Sequence, residues 1–346
     1  MPEYTEVRGC IHIHFPLREL DKRINSLGKA GEMAGVDFIV VNNHTPKKIF
    51  LKHEKTFNKE GYYGKTLVLT GEETDDRKKQ NHLLVIGGKR WYGNKDTVED
   101  IFFEISTSDI VSFIAHPDGF HKLFLFKKEY LWENWEIDGF TGIEVWSMLF
   151  DWARYTRIYN LPLRYFTFPE NLRGPAGKVL YLWDTISLKR KVVGIAGLDI
   201  HPLPFLFQLL DINKSFRYHN IFKGLRNHLL LKEPLAGDSQ EDKKKIMDCL
   251  KKGHLFFAND GLADSSGFFF GTEDGEKTMG DTVYAGTILY IKNPFKAKTK
   301  IVCNGKILYN GETELKKFTP EIPGVYRIEV ELNGKPWIFS NHIRLI

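Results

Sequence analysis

Short apolar runs recur along the first two thirds of the 346-residue chain, and their length constrains the fold more than any other feature. Most are continuous stretches of four to six residues, as expected of strands that are buried on both faces. The seven runs are Cys10–Phe15, Phe38–Val41, Thr66–Thr70, His82–Ile86, Val111–His116, Gly142–Trp146 and Val193–Ala196. Apolar residues at helical spacing occur between them, over 17–34, 97–109 and 174–190.

Strands that alternate with helices predict parallel pairing and an α/β fold. Seven strands suit a barrel, and an open doubly wound sheet is the alternative. Near residue 260 the pattern changes to short alternating segments separated by turn signals, with Asn-Gly pairs at Asn304-Gly305, Asn310-Gly311 and Asn333-Gly334. This tail predicts a small all-β sandwich. We therefore expect a barrel domain over 1–258 and a β-sandwich domain over 259–346.

The composition excludes several classes of protein. The net charge is only +5 and the signs are interspersed, so a nucleic-acid partner is not expected, except a nucleotide or short nucleic acid as a substrate. The three cysteines are far apart, which argues against a disulfide framework and favours a reducing compartment. No apolar run is long enough to span a bilayer, and the start shows no apolar signal segment. We expect a cytoplasmic protein with no membrane partner.

Histidines and carboxylates cluster at the ends of the predicted strands. His12 and His14 are two residues apart on the first strand, so their side chains point to the same face. Asp199 and His201 repeat this spacing after the last of the seven runs. The other members of the set are His44, Glu73, His82 and His116. Because strand ends meet on one face of a parallel barrel, six of the 12 histidines converge there with two carboxylates.

These residue types are good ligands for divalent metals. A lone histidine is more often a satisfied structural group, but eight polar side chains together would be costly to bury without an ion or hydrogen bonds. A carboxylate such as Glu73 can bridge two ions, and a multinuclear site supplies a bound hydroxide near neutral pH. We expect two or three divalent ions, of Zn, Mn or Fe.

The same segments resemble a known family. Ile11–His14, Asn43-His44, Gly71–Glu73, His82–Leu84, Ile114–Pro117 and Gly197–His201 are similar, in order and rough spacing, to the motifs of the PHP (polymerase and histidinol phosphatase) superfamily. The resemblance covers about residues 8–203 and implies a distorted seven-stranded (β/α) barrel that hydrolyses phosphoesters at a multinuclear metal centre.

By this resemblance, each ion has its own set of ligands. The first set is His12, His14, Glu73 and Asp199; the second is Glu73, His82 and His116; the third is His44 and His201, with Glu19 where the family places a further ligand. Glu73, His116 and Asp199 are the residues we expect to carry catalysis, on a small-molecule ester substrate.

Two positions depart from the family pattern. Cys10 stands where the family commonly has Asp. Its two alternative roles are a thiolate ligand and a small buried residue, and we favour the buried residue. Asn43 also replaces a common Asp, which removes a negative charge, so the third ion is expected to bind weakly or not at all.

Two further features bear on the site. Glu144 ends a strand and is a candidate to reach it, and the aromatic segment 118–137 either shapes a substrate pocket or packs in the core.

The tail narrows the resemblance. Met279–Asp281, Pro323–Val330 and Pro336–Asn341 look like the tail of PHP proteins similar to carbaryl hydrolase, a branch that adds a β-sandwich and includes ester or carbamate hydrolysis. Three hypotheses follow. The first is a phosphoesterase, the second a carboxylic or carbamic ester hydrolase with the same metal centre, and the third a non-catalytic metal-containing binding protein.

Overall fold

The computed structural model describes residues 4–15, 17–46, 57–76, 80–93, 95, 97–105, 109–123, 126–201 and 218–346, with the backbone alone over 17–23, 121–123 and 126–128. The first part of the chain contributes strands β1 (Thr5–Ile13), β2 (Phe38–His44), β3 (Gly61–Tyr63), β4 (Thr66–Asp75), β5 (His82–Ile86), β6 (Val111–Ile114), β7 (Asp118–Leu123), β8 (Phe126–Leu131), β9 (Gly142–Ser147), β10 (Val193–Gly197) and β11 (Leu225–Leu231).

The rest of the chain adds β12 (Leu255–Asn259), β13 (Phe269–Thr272), β14 (Thr282–Val283), β15 (Leu289–Cys303), β16 (Lys306–Phe318), β17 (Gly324–Leu332), β18 (Lys335–Ser340) and β19 (Ile343–Leu345). The described helices are α1 (Leu17–Ala34), α2 (Val98–Ile105), α3 (Met148–Tyr155), α4 (Leu161–Phe166), α5 (Gly177–Lys189), α6 (Tyr218–Ile221) and α7 (Ser239–Lys252). Helices α1, α2 and α5 confirm the three predicted from helical spacing.

Parallel pairings organise much of the first part of the sheet. β1 pairs in parallel with β2, and β2 with β4. Further along, β9 pairs in parallel with both β6 and β10. These strands are almost continuously buried, as expected of strands covered on both faces. The protein is therefore a mixed α/β protein with one large sheet, as the apolar runs predicted at the level of fold class.

Uniformly parallel pairing, however, was a wrong expectation. β5 pairs antiparallel with both β4 and β6, and β11 pairs antiparallel with β1. The connection from Asp75 to His82 is too short for a crossover helix, and parallel strands need connections of about a dozen residues or more. Because β5 is reversed, its first residue lies at the sheet edge where the parallel strands end. That reversal brings His82 to the same edge as the other histidines.

Strand β10 also approaches β1. The Leu198 N–H donates to Ile11 O at 2.9 Å, and the His14 N–H donates to Ile200 O at 2.9 Å. These bonds bring together the two ends of the strand series β1, β2, β4, β5, β6, β9 and β10. The closed seven-stranded barrel stays a prediction, and the pairings agree with its strand order.

The tail contains the hairpins that its turn residues predict. Asn304-Gly305 joins β15 to β16, and Asn333-Gly334 joins β17 to β18. All four of these residues have a positive φ, as a two-residue hairpin turn of this kind requires. Asn310-Gly311 does not form a turn, contrary to expectation: it lies within β16, where Gly311 pairs with Thr299. The tail sheet therefore has longer strands than the sequence indicated.

The tail has an apolar cluster of its own, to which Leu230, Phe256 and Ala258 of β11 and β12 also belong. Strand β12 pairs with β11 on one side and with β18 on the other, so the sheet continues across residue 258. The domain boundary between 258 and 259 and the sandwich arrangement stay predictions. Within the described residues, no helix is long and apolar enough to cross a membrane.

Candidate metal centre

Eight of the nine predicted metal ligands converge at one edge of the large sheet. Their ligand atoms form three overlapping groups, within each of which all atoms lie within 4.8 Å of one another. The groups are His12, His14, Glu73 and Asp199; Glu73, His82 and His116; and His14, His44 and His201. Glu73 is shared by the first two groups and His14 by the first and third. The ninth predicted ligand, Glu19, lies in helix α1, and its side chain falls outside the described residues.

Different strands supply these side chains at the same edge. His12 lies at the end of β1, and His44 is the last residue of β2. Glu73 lies near the end of β4, directly opposite His44 in the parallel register. Asp199 follows β10 closely. Residues that are far apart in the chain therefore meet because the ends of their strands are adjacent.

The backbone is locally strained at three of these positions. His12, His116 and Asp199 have φ values of 65°, 26° and 50°, a left-handed region that non-glycine residues rarely adopt. Such conformations cost roughly 1–3 kcal/mol each and are concentrated at functional sites. The surrounding structure helps to hold one of them, because the Asn42 side-chain oxygen accepts a hydrogen bond from the His12 N–H at 3.1 Å. Asn42 was not singled out from the sequence, since an amide at a strand end gives no signal by itself.

Glu73 is the central residue of the cluster. One carboxylate oxygen, Oε1, lies 2.7 Å from His82 Nδ1 and 3.0 Å from His116 Nε2. The other oxygen, Oε2, lies 3.1 Å from His14 Nε2 and 3.0 Å from His44 Nδ1. Burial by itself would raise the pKa of this carboxyl, but the surrounding histidines hold it well below its usual range. Glu73 is thus an ionised carboxylate that faces two groups of imidazoles at once.

Asp199 completes the most enclosed of the three groups. Its Oδ1 lies 3.4 Å from His12 Nε2 and 3.3 Å from His14 Nε2. Burial opposes ionisation of this carboxyl as well, yet His12 and His14 keep its pKa below the ordinary range. Two ionised carboxylates therefore lie among the imidazoles in the interior, where an unpaired charge would be costly.

Several buried polar atoms in the cluster lie close to one another but form no hydrogen bond of acceptable geometry with any described residue. In the first group these are His12 Nε2, His14 Nε2 and Glu73 Oε2. Buried polar groups are normally satisfied, so this concentration of unpartnered acceptors needs an explanation. A divalent cation explains it, because imidazole nitrogen and carboxylate oxygen are its usual ligands. The residues present therefore fit a metal ion.

A second layer of residues orients the first. Glu144 Oε2 lies 2.7 Å from His12 Nδ1, and both side chains are fully buried. A carboxylate behind a ligating histidine fixes the ring and leaves its other nitrogen free for a metal. Gly197 of β10 makes room for this carboxylate, because a Cβ at that position would lie 2.5 Å from Glu144 Cδ. Glu144 thus reaches the site, behind His12.

The cluster is enclosed on one side and open on the other. The side chains of His12, His14, Glu73, His82, His116 and Asp199 are at most 7% exposed, whereas those of His44 and His201 are 52% and 47% exposed. The two open imidazoles approach each other, with 3.4 Å between their Nε2 atoms. Access from solvent to the cluster is therefore on the side of His44 and His201.

The two departures from the family pattern have structural explanations. Cys10 is fully buried in the apolar core, and its Sγ lies 3.9 Å from the carbonyl oxygen of Phe222. Burial raises the pKa of this thiol to about 12, which disfavours a thiolate ligand. The Asn43 side-chain oxygen accepts from the Phe15 N–H at 2.7 Å. Neither residue belongs to the three ligand groups found among the described residues.

Comparisons with known proteins give distant structural likeness only. No protein-family model matches the chain, and no curated protein matches it. Five solved chains match at the level of structure. One, from Bacteroides vulgatus ATCC 8482, is a two-domain protein containing a predicted PHP-like metal-dependent phosphoesterase. It shares 14% identity at a TM-score of 0.46, with 98% of this chain and 95% of that chain covered. A likeness this distant carries no functional argument, so function has to be argued from the site.

Proposed function

We propose that this protein is a metal-dependent phosphoesterase of the PHP type. The observation that carries the proposal is the position of Glu73, whose two oxygens face separate groups of buried imidazoles. The ordered motifs that resemble the PHP superfamily support the same assignment, and with it a seven-stranded barrel. The alternating segments of the tail support a C-terminal sandwich, and the three separated cysteines support a cytoplasmic location.

The three ligand groups support one distribution of ions among these residues. His12, His14, Glu73 and Asp199 would hold one ion, and Glu73, His82 and His116 a second. His44 and His201 would hold a third, which their exposure makes the weakest, because the neighbouring His14 already serves the first ion. When bound, divalent Zn, Mn or Fe would polarise an ester oxygen and favour ionisation of water near neutral pH.

Charge balance favours a phosphorylated substrate over a neutral ester. The described ligands of the first two groups include only two carboxylates, Glu73 and Asp199, and the remaining ligands are imidazoles. With Glu144 counted as well, three negative charges face two divalent cations, so the occupied centre is positive before a bound water ionises. A positive centre attracts an anionic phosphoester.

The protein's own residues have distinct tasks in this scheme. Glu73 and Asp199 remain ionised and keep the imidazoles oriented toward the reacting centre. His116 lies on the enclosed side, 3.0 Å from Glu73 Oε1, where it would help to hold the second ion. His44 and His201 flank the open side, where the substrate enters and an imidazole N–H can contact a phosphate oxygen.

Parallel assays of nitrophenyl phosphate, bis(nitrophenyl) phosphate and nitrophenyl acetate test this function. With added Mn²⁺, we expect hydrolysis of at least one phosphate ester. In Asp199→Asn we expect the rate of hydrolysis to fall by more than the roughly 10- to 100-fold that is typical when a residue behind a metal ligand is changed. His254→Ala is the control, because His254 pairs with Asp281 outside the cluster.

The outcomes separate the three hypotheses. Hydrolysis of the acetate alone, abolished in Asp199→Asn, would replace the phosphoesterase by a carboxylic ester hydrolase. Metal binding without hydrolysis of a broad panel of phosphate, carboxylate and carbamate esters would favour a non-catalytic binding protein. Equal rates in the wild type and Asp199→Asn would remove the cluster from the reaction.

A further inference from the structure

A separate two-stranded sheet stands beside the cluster. Strands β7 and β8 form an antiparallel hairpin that pairs with none of the described strands of the large sheet. The hairpin begins two residues after His116, at Asp118, and the Gly119 N–H donates to His116 O at 2.7 Å. The approach is so close that a Cβ on Gly119 would lie 3.0 Å from His116 Nδ1. The hairpin is thus built directly onto one of the candidate ligands.

Contacts at both ends of the hairpin hold it in place. At its start, Arg154 of α3 forms an ion pair with Asp118 and also donates to the Asp118 carbonyl oxygen at 3.1 Å. At its end, the Trp132 N–H donates to Pro117 O at 3.0 Å. Glu133 then accepts a side-chain hydrogen bond from Gln80 at 2.7 Å. The hairpin is therefore fixed against both α3 and the segment that precedes β5.

Among the hairpin side chains that the structure describes, Tyr130 contacts the cluster. Its ring centroid lies 4.8 Å from that of His82 and 5.8 Å from that of His116, both in edge-on geometry. Phe150 of α3 supports this arrangement, at 4.6 Å from His116 and 6.1 Å from Tyr130. Phe150 is buried, whereas Tyr130 keeps part of its surface exposed. A partly exposed aromatic surface therefore adjoins the Glu73–His82–His116 group.

We propose that Tyr130 determines substrate specificity by contacting a flat apolar group on the ester. This proposal rests on the phosphoesterase function and narrows its substrate class to aryl or comparably planar esters. The His82 ring lies between the open side and the hairpin, with its centroid 6.2 Å from that of His44 and 4.8 Å from that of Tyr130. An ester that enters beside His44 would therefore bring its substituent to the ring of Tyr130. Aromatic rings in contact attract each other beyond the effect of burial, and a methyl group cannot reproduce this contact.

Binding of non-hydrolysable phosphonates tests the proposal without depending on turnover. Phenylphosphonate and methylphosphonate carry the same charged group, so the ratio of their dissociation constants isolates the substituent. With the Mn²⁺-loaded protein in a calorimeter, we expect phenylphosphonate to bind about tenfold more tightly. In Tyr130→Ala the ratio should fall to about two, and in Tyr130→Phe it should stay near ten.

Two further variants separate recognition from structure. Tyr130→Leu keeps an apolar side chain in the hairpin but removes the ring, so it should fold, retain its metal and lose most of the preference. Tyr159→Ala, at a tyrosine that is 85% exposed, should leave the ratio unchanged.

Three results would overturn the proposal. They are a ratio near one in the wild type, no binding of either phosphonate to metal-loaded protein, and an unchanged ratio in folded Tyr130→Ala and Tyr130→Leu. Any of these results in a protein that still hydrolyses phosphate esters would leave the proposed function standing. Failure to bind metal would instead refute that function.

Discussion

Glu144 determines which nitrogen of His12 faces the cluster. Its carboxylate lies at His12 Nδ1, so His12 Nε2 is the atom directed at Glu73 and Asp199, at 3.4 Å from each. The sequence could nominate Glu144 because it belongs to a predicted strand. It was expected to end that strand, but it lies within β9, and only the structure shows that it acts through His12. The sequence could equally nominate the eight ligands, since histidines and carboxylates at successive strand ends are unusual. It could not show how Asn42 supports the strained backbone of His12, because that depends on two strands lying side by side.

Glu144→Gln should weaken metal binding without abolishing it. The amide can still contact His12 Nδ1, but the loss of the charge makes the imidazole a poorer ligand, and such changes cost about 10- to 100-fold in affinity. Competition with a chelator of known Zn²⁺ affinity measures the effect. Glu104→Gln, at a carboxylate paired with Arg90 and Lys95, is the control. An affinity within about twofold of the wild type would show that Glu144 does not tune the site.

At the scale of elements, apolar runs predicted where the central strands lie but not which way they run. The reversal of β5 depends on the short connection after β4. The apolar runs alone do not include the length of that connection. Strand β11 was missed for another reason, since its polar residues Arg226, Asn227 and His228 interrupt the apolar pattern. All three are buried and paired with partners far away in the chain, at Asp260, Ala196 and Glu6. No local pattern reveals such partners.

The tail hairpins offer a test of turn chemistry. Gly334 has a φ of 72° and nothing within 4 Å of the position a Cβ would take, so Gly334→Ala introduces backbone strain but no clash. We expect a loss of about 1–2 kcal/mol in the free energy of unfolding, measured by urea denaturation. Gly177→Ala is the matched control, since Gly177 begins α5 with equally open space and no positive φ, and it should be neutral or stabilising. Equal effects of the two variants would contradict the assigned turn.

At the scale of the whole molecule, a buried charge network ties β1 and β11 to the segment that leads into the tail. His228 lies 2.6 Å from Glu6 and 3.1 Å from Asp260, and Arg226 lies 3.2 Å from Asp260. Burial by itself would lower the pKa of His228, but Asp260 and Glu6 raise it to about 9. The imidazole is therefore protonated in the folded protein at neutral pH.

This network predicts a pH dependence of stability. Because the pKa of His228 is higher in the folded than in the unfolded chain, its contribution is complete below about pH 6.5 and disappears as the pH rises through about 9. We expect the wild type to lose up to roughly 3 kcal/mol of unfolding free energy from this group between pH 6.5 and 10. His228→Gln should be less stable at pH 6.5 and show a smaller loss over that range. Urea denaturation at a series of pH values measures both effects. If the unfolding free energies of the two proteins change equally with pH, the assignment is contradicted.

The metal content of the protein tests the central claim most directly. We expect wild-type protein equilibrated with Mn²⁺ or Zn²⁺ and passed through a desalting column to retain about two or more ions per chain by elemental mass spectrometry. Glu73→Ala removes the carboxylate shared by two ligand groups and should retain less than about one, while Glu104→Ala should match the wild type. A wild type that retains no metal, or a Glu73→Ala variant that retains as much as the wild type, would contradict the account.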